Sequence, residues 1–569
     1  MKFVSAHAAA LLCGWLGTVS SAAAPGSCPA PPQPDAANRG AVSSEKAICS
    51  GIGTQLIKEG GNAVDALVGT VFCVGTMAMY HSGIGGGGFM LLRDKNGNYE
   101  FVDFRETAPA AAFQDMYKNN TDASLYGGLA SGIPGELRGL EYAHKKYGVL
   151  DWATVMAPAI KIARCGFTVD QDLVSYIKQT SGNHFLVEDP NWAIDFAPNG
   201  KLLGLGETIT RKRYADTLET IANEGADAFY TGAIANATIK ALGARNGTMT
   251  LKDLENYTIA HRQPLQIMYR GHKLTSTNAP SSGPVALSAL NTVSGYDDFF
   301  QPETVNISTH RLDEAIRFAY GQRTKLGDPS FIDGLSNYTA AMVASRTGAE
   351  IRARISDTKT EDVAYYNPQG IESLDTPGTS HIVAADASGM AVSLTTTINT
   401  LFGSRVLVPE TGVVMNNEMN DFSIPGSSNA FGYRPSPQNY VRPGKRPLSS
   451  ISPVIAETPE GKLYFACGSA GGSRITTATT QLVVHMLDQG MGAAESLKQP
   501  RLHDQLQPNQ VTFEYAYDNS TTAFMKVLGH NVTWVAPGQS TAQALKLLAN
   551  GTFEAGGEPR QKNSGGFAV

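Results

Sequence analysis

The chain has 569 residues, 42% of them hydrophobic and 17% charged, a globular composition and not a disordered one. Lys+Arg 45 against Asp+Glu 51 gives a net charge of −6 with no basic run, which argues against a nucleic-acid partner. Gly 59 and Pro 29 without a G-X-Y period make the chain loop-rich but not collagenous, and at about 150 residues per domain its length allows three or four domains.

The first 24 residues read as a separate object. Lys2 is a positive start, Ala8 to Leu16 is an apolar run, and Ser21-Ala22-Ala23-Ala24 supplies small residues before Pro25. This is the pattern of a cleaved signal peptide. The competing reading is a signal anchor, but the run falls short of the roughly 20 residues a span needs, and Gly14, Gly17 and Ser20 dilute it. Sequons at Asn119, Asn236, Asn246, Asn256, Asn306, Asn337, Asn519, Asn531 and Asn550 are candidate glycosylation sites and agree with secretion. The expected localisation is therefore secreted or extracellular, with a membrane-anchored form as the alternative.

Cys13 leaves with the leader, and Cys28, Cys49, Cys73, Cys165 and Cys467 are too few for a disulfide scaffold. Ser44 to Lys58 has helical character. Asn62 N-caps a second helix running to Met79, with Gly60-Gly61 as the turn. Cys49 and Cys73 are equidistant from Gly61, so an antiparallel helical hairpin brings them level, and Gly51, Gly53 and Gly75 let the backbones approach. A Cys49–Cys73 disulfide is expected; two buried thiols are the alternative.

His81 to Gly88 contains a formal G-x-G-x-x-G, with Asp103 about twenty residues later. The loop runs from helix to strand, whereas a dinucleotide loop runs from strand to helix, so close packing near a cleft is the better reading. Phe89 to Arg93 and Tyr99 to Phe104 form a hairpin around Asn96-Gly97. Arg105 follows where the strand stops, either as a structural ion pair or as a carboxylate clamp. Leu150 to Ile355 is mainly helical by pattern, and Gly132 to Gly135 and Ala279 to Pro284 are turns between elements. It holds no repeat, no His-Glu-x-x-His and no CxxC. His310 and Asp313 are helix-spaced and read as structural, and no metal or cofactor is expected.

Asp375-Thr376-Pro377-Gly378-Thr379-Ser380-His381 breaks the chain two-thirds along. Ser380 to Ala385 and Met390 to Ile398 then form a hairpin across Asp386-Ala387-Ser388-Gly389. Counting back from that turn, Thr379 faces Thr396 or Thr397, depending on a one-residue bulge, with Asn399 near. On an ordinary hairpin this is only a threonine ladder.

In family order, these segments resemble those of the gamma-glutamyltransferases, which are N-terminal nucleophile hydrolases. The matching stretches are Gly60 to Ala66, Gly83 to Gly88, Asp103 to Pro109, Thr376 to His381, Asn416 to Phe422, Pro443 to Ser450, Gly468 to Arg474 and Pro500 to His503. The resemblance implies an α+β fold, a four-layer αββα sandwich with sheets drawn from both halves of the chain. It implies self-cleavage between Gly378 and Thr379, giving a large subunit 25–378 and a small catalytic subunit 379–569 that stay together. Thr379 then supplies nucleophile and, through its new α-amine, base. Thr397 adjoins it, and the N–H groups of Gly471 and Gly472 form the oxyanion hole. Gly468 to Gly471 is not a serine-hydrolase elbow, because Cys467 stands where that motif needs its first glycine. Arg105, Ser449 and Ser450 take the donor's α-carboxylate; Glu418, Asp421 and Asn399 take its α-ammonium. His381 is structural.

The implied activity is gamma-glutamyltransferase and glutathione hydrolase, with water, amino acids or dipeptides as acceptors. The alternative enzyme is a cephalosporin or glutaryl acylase, and the non-enzymatic alternative is an uncut binding protein. The chain departs from the family in two places: Phe431 stands where some bacterial members carry a lid tyrosine, and Asn420 where many have a second Asp.

Overall fold

The computed structural model describes residues 38–368, 378–426 and 435–569. The leader, Cys28, Asp375 to Pro377 and Phe431 lie outside them.

Two antiparallel sheets lie face to face. The first has seven strands in the order Gly565–Ala568, Gly40–Ser44, Gly378–Asp386, Ala391–Asn399, Gly87–Arg93, Tyr99–Phe104 and Ala260–Arg262. The second has six, in the order Phe553–Gly556, Thr541–Leu547, Leu463–Ala470, Val454–Glu457, His272–Ser276 and Leu265–Tyr269. Strand alternation sorts the core into layers. Val383, Ala385, Leu91, Ile455, Ala466 and Leu545 fill the space between the sheets. Their neighbours Ile382, Ala384, Met90 and Leu92 point outward, onto the helices Ala47–Lys58 and Ala63–Met77. On the other side, Val454, Ala456, Phe465 and Cys467 meet the helices Gly283–Val293, Val305–Arg323 and Arg474–Leu487. This is the αββα sandwich. Strands buried on both faces need apolar residues throughout, which is why they show little polar alternation.

Both sheets contain strands from before and after residue 378, and in the seven-stranded sheet the two sets are interleaved. Strand Gly378–Asp386 is held between Gly40–Ser44 on one side and Ala391–Asn399 on the other. The first helix starts at Ala47, not near Ser44. Ser44 is the last residue of a strand because its backbone pairs with Gly565, far along the chain. Asn62 caps the second helix: its side chain accepts from the N–H groups of Val64 and Asp65, while Asp65 accepts from the Asn62 N–H. Cys49 and Cys73 form a disulfide with Cα atoms 5.3 Å apart; Cys165 and Cys467 are free thiols. The glycine loop packs against the threonine strand, and a Cβ on Gly86 would strike the Thr397 carbonyl. Among the described residues, no helix is long and apolar enough to cross a membrane.

Candidate active site

The hairpin register places Thr379 opposite Thr397, and Thr396 opposite Ser380. A bulge after Thr397 puts Asn399 opposite Gly378 and leaves it at φ +76°, a left-handed conformation that Asn tolerates better than most residues. Two hydroxyls and two backbone groups there are linked. Thr379 Oγ1 donates to Thr397 Oγ1 at 3.2 Å, and Thr397 Oγ1 donates to the Gly378 carbonyl at 2.7 Å. The Asn399 N–H donates to the same Thr397 oxygen at 2.7 Å. Glycine is required at 378 for space, not for an unusual φ: a Cβ there would strike the Thr400 carbonyl.

Thr379 lines a cavity with Arg105, Arg323, Thr397, Asn399, Glu418, Asp421, Ser449, Ser450 and Gly472. Elements from both sheets deliver these groups. Arg105 ends strand Tyr99–Phe104, held by its own N–H to Asp103 at 3.0 Å and by Tyr257 Oη donating to its carbonyl at 2.8 Å. Its guanidinium donates to Glu418 through Nη1 and to Asp421 through Nη2. The two sequence readings of Arg105, ion pair and clamp, thus meet in one place. The pairing does not use every group. Arg105 Nε, Glu418 Oε2 and Asn399 Oδ1 are buried with no hydrogen-bond partner among the described residues, a costly arrangement unless a ligand supplies one. Burial pushes the Glu418 and Asp421 carboxyls above their usual range, and Arg105 opposes it. Glu106, behind them, is pushed well up by burial and by the charge of Glu418.

Ser449 Oγ accepts from the Ile451 N–H at 3.2 Å, and Ser450 Oγ accepts from Arg323 Nη2 at 3.2 Å. Gly471 and Gly472, at φ +121° and +58°, close strand Leu463–Ala470 and lead into helix Arg474–Leu487. The positive end of that helix favours negative charge. Gly472 lines the Thr379 cavity, and Gly471 lines a second one, which Thr379 also borders.

A profile of the Gamma-glutamyltranspeptidase family matches residues 49–568. The chain belongs to this family. It is 57% identical over 547 residues to the glutathione hydrolase proenzyme of Arthroderma benhamiae, covering 93% of each chain. It is 51% identical over 534 residues to the glutathione hydrolase of Aspergillus flavus, covering 93% of this chain and 89% of that one. Among solved structures, the cephalosporin acylase of Bacillus halodurans matches with a TM-score of 0.82 at 25% identity, covering 95% and 97% of the two chains.

In this member of the gamma-glutamyltranspeptidase family, His381 is kept from the chemistry by its surroundings. Its Nδ1 meets Thr395 Oγ1 at 2.8 Å and its Nε2 meets Ser393 Oγ at 3.2 Å. Burial holds its pKa down at about 3, so it is neutral. Asn420 turns away, donating to Ser124 Oγ at 2.8 Å. The stretch around Phe431 lies outside the described residues. Two cavity residues, Arg323 and Asn439, were not singled out from the sequence. Asn439 braces the site by donating to the Asp421 carbonyl at 2.7 Å and accepting from the Leu448 N–H at 2.9 Å. Nothing in the local sequence around either marks it.

Away from the cavity, His310, Glu314 and His530 form the group of described residues that could hold a metal. His310 Nδ1 and His530 Nε2 are 2.7 Å apart, whereas two nitrogens on one tetrahedral zinc stand about 3.3 Å apart. The spacing is that of a hydrogen bond. His310 Nε2 lies 2.7 Å from the Ser356 carbonyl and must donate to it. Neutral His310 therefore accepts at Nδ1 from His530 Nε2. His530 Nδ1 lies 3.1 Å from Asp313 Oδ2, whose carboxylate has no hydrogen-bond partner among the described residues.

Proposed function

We propose that this family member is a glutathione hydrolase and gamma-glutamyltransferase that matures by cutting its own Gly378–Thr379 bond. The observation that carries the reading is the Thr379 hydroxyl in one cavity with a buried cation and unpaired acceptors. In maturation, Thr379 Oγ attacks the Gly378 carbonyl carbon while the Thr397 hydroxyl, 2.7 Å from that oxygen, stabilises the oxyanion. The C–N bond breaks, the hydroxyl proton passes to the leaving nitrogen, and water hydrolyses the resulting ester. The freed α-amine, with a reference pKa of about 7.7–8.0, is partly unprotonated near neutrality and acts as base toward its own hydroxyl.

In turnover, Thr379 Oγ attacks the donor's γ-carbonyl and the Gly471 and Gly472 N–H groups take the oxyanion. Cysteinylglycine leaves with the proton, and water or an acceptor amine resolves the γ-glutamyl ester. The donor's α-carboxylate goes to Arg105, Ser449 and Ser450. Its α-ammonium goes to Glu418, Asp421 and Asn399, where Glu418 Oε2 and Asn399 Oδ1 await a donor. A glutaryl acyl group has no ammonium to fill them, which favours the glutamyl donor although the fold is shared with a cephalosporin acylase.

The protein is secreted after loss of residues 1–24, with the Cys49–Cys73 bridge retained and subunits 25–378 and 379–569 held by their shared sheets. Eight of the nine sequon asparagines are exposed. Asn306 is half-buried and its side chain accepts from Thr521 Oγ1 at 2.7 Å, so it is the one left unglycosylated. The test is N-terminal sequencing of secreted protein, with turnover of γ-glutamyl-p-nitroanilide. A new chain starting at Thr379, and an uncut, inactive Thr379→Ala variant, are expected. Cleavage with glutaryl amides turned over in preference to γ-glutamyl amides would overturn the donor assignment.

A further inference from the structure

We propose that Arg323 is a positioning and specificity-determining residue for the donor's carboxylate, acting through Ser450. The inference rests on the reading of Ser449 and Ser450 as the carboxylate's hydroxyls.

Arg323 is buried at the end of helix Val305–Arg323 and lines the Thr379 cavity. Its fork spans two segments: Nε donates to Ser282 Oγ at 3.1 Å and Nη2 to Ser450 Oγ at 3.2 Å. Ser282 belongs to the Ala279 to Pro284 turn, and that turn cradles the serine pair. Ser282 Oγ donates to the Ser449 carbonyl at 2.6 Å, the Ser449 N–H donates to the Pro280 carbonyl at 2.8 Å, and Ser281 Oγ donates to the Ile451 carbonyl at 2.7 Å. Thr476 Oγ1 donates to the Ser450 carbonyl at 3.0 Å. Main-chain positions 449–451 are therefore fixed by neighbours, and Arg323 acts on the hydroxyl.

The direction of that bond matters. A guanidinium only donates, so Ser450 Oγ is the acceptor and its own proton cannot point back at Arg323. That leaves the proton for a carboxylate in the cavity, which Ser450 lines. Charge follows the same logic. The terminal nitrogens of Arg105 face Glu418 and Asp421, and the cation in direct contact with the Ser450 hydroxyl is Arg323. A planar fork that reaches two hydroxyls at once is a task for Arg, not Lys.

Three chromogenic donors separate the contributions. The γ-glutamyl-p-nitroanilide carries both handles, glutaryl-p-nitroanilide only the carboxylate, and 4-aminobutanoyl-p-nitroanilide only the ammonium. The readout is kcat/KM per cut active site for each donor. In R323Q, the two carboxylate donors are expected to fall on the order of 10- to 100-fold relative to the 4-aminobutanoyl donor, the worth of a charged hydrogen bond. R323K, with the charge but not the fork, falls between wild type and R323Q. R323Q/S450A loses no more than the worse single variant, because both act on one hydroxyl. An equal fall for all three donors, or an additive double variant, overturns the proposal. If R323Q does not fold, R323K decides alone: unchanged discrimination between donors overturns it. If the wild-type protein itself does not favour γ-glutamyl over 4-aminobutanoyl, the carboxylate reading of the serines fails instead.

Discussion

Thr397→Val keeps the shape of the side chain and removes one hydroxyl from the point where the proposed maturation begins. That hydroxyl donates to the Gly378 carbonyl at 2.7 Å, and accepts from the Asn399 N–H at 2.7 Å and from Thr379 Oγ1 at 3.2 Å. Losing a donor to an oxygen that becomes an oxyanion costs about 2.7–4 kcal/mol, or about 10²–10³ in rate. The Asn399 N–H, left without its acceptor in a buried site, adds about 1–3 kcal/mol of destabilisation. The expected outcome is a folded precursor that persists as one band on a denaturing gel long after wild-type chain has separated into two. Thr397→Ser, with the oxygen restored, should recover most of the cutting rate. The assay is the decay of the precursor band with time, with thermal melting as the control for folding. T397V cutting at the wild-type rate would refute the reasoning. So would T397S as slow as T397V, since methyl packing and not the hydroxyl would then be responsible.

Glu418→Gln keeps the size and removes the charge, so KM for γ-glutamyl-p-nitroanilide should rise on the order of 10- to 100-fold, with far less effect on glutaryl-p-nitroanilide; equal effects on both donors would count against Glu418 as the ammonium acceptor. Because burial raises the Glu418 pKa, lowering the pH protonates it, and KM for γ-glutamyl donors should climb toward acid, a slope that E418Q should lack. Gly378→Ala places a methyl against the Thr400 and Asn399 backbone, so the precursor should stay uncut on the same gel; normal cutting would mean the backbone there yields. Asp313 is raised by burial to about 7 and His530 lowered by burial to about 4. As pH rises from about 4 to 6.5, the raised acid loses stability it holds at low pH while the depressed base gains it, and the two slopes offset. Asp313→Asn should remove the falling slope of the acid, read as a melting temperature that rises with pH more steeply than in wild type.

What the sequence made legible were contacts closed by short turns. The helical hairpin around Gly60-Gly61 brings Cys49 beside Cys73, and the strand hairpin around Asp386 to Gly389 brings Thr379 beside Thr397 or Thr396. The turn chooses between the threonines: the Asp386 N–H donates to the Met390 carbonyl, and the register runs unbroken from there to Thr379 and Thr397. Ser44 was misread as helical for another reason: its strand exists because Gly565 pairs with it from the other end of the chain. No local periodicity carries that information.

The cavity is harder to read still, because its members sit at the ends of separate elements. Arg105 meets Glu418 across 313 residues of chain, and Arg323 meets Ser450 across 127. The resemblance to a family supplied the first pair as ligand-binding groups but not their mutual ion pair; it did not supply Arg323 at all. Such long-range meetings follow from the sharing of both sheets between strands from before and after residue 378, interleaved in the first. The same interleaving bears on the proposed cut. A break at Gly378–Thr379 severs one covalent link but leaves the ladders on both sides of strand Gly378–Asp386, to Gly40–Ser44 and to Ala391–Asn399. It therefore frees the Thr379 amine without freeing the Thr379 strand. The new terminus is held in register beside Thr397, which is what a residue serving as both nucleophile and base requires.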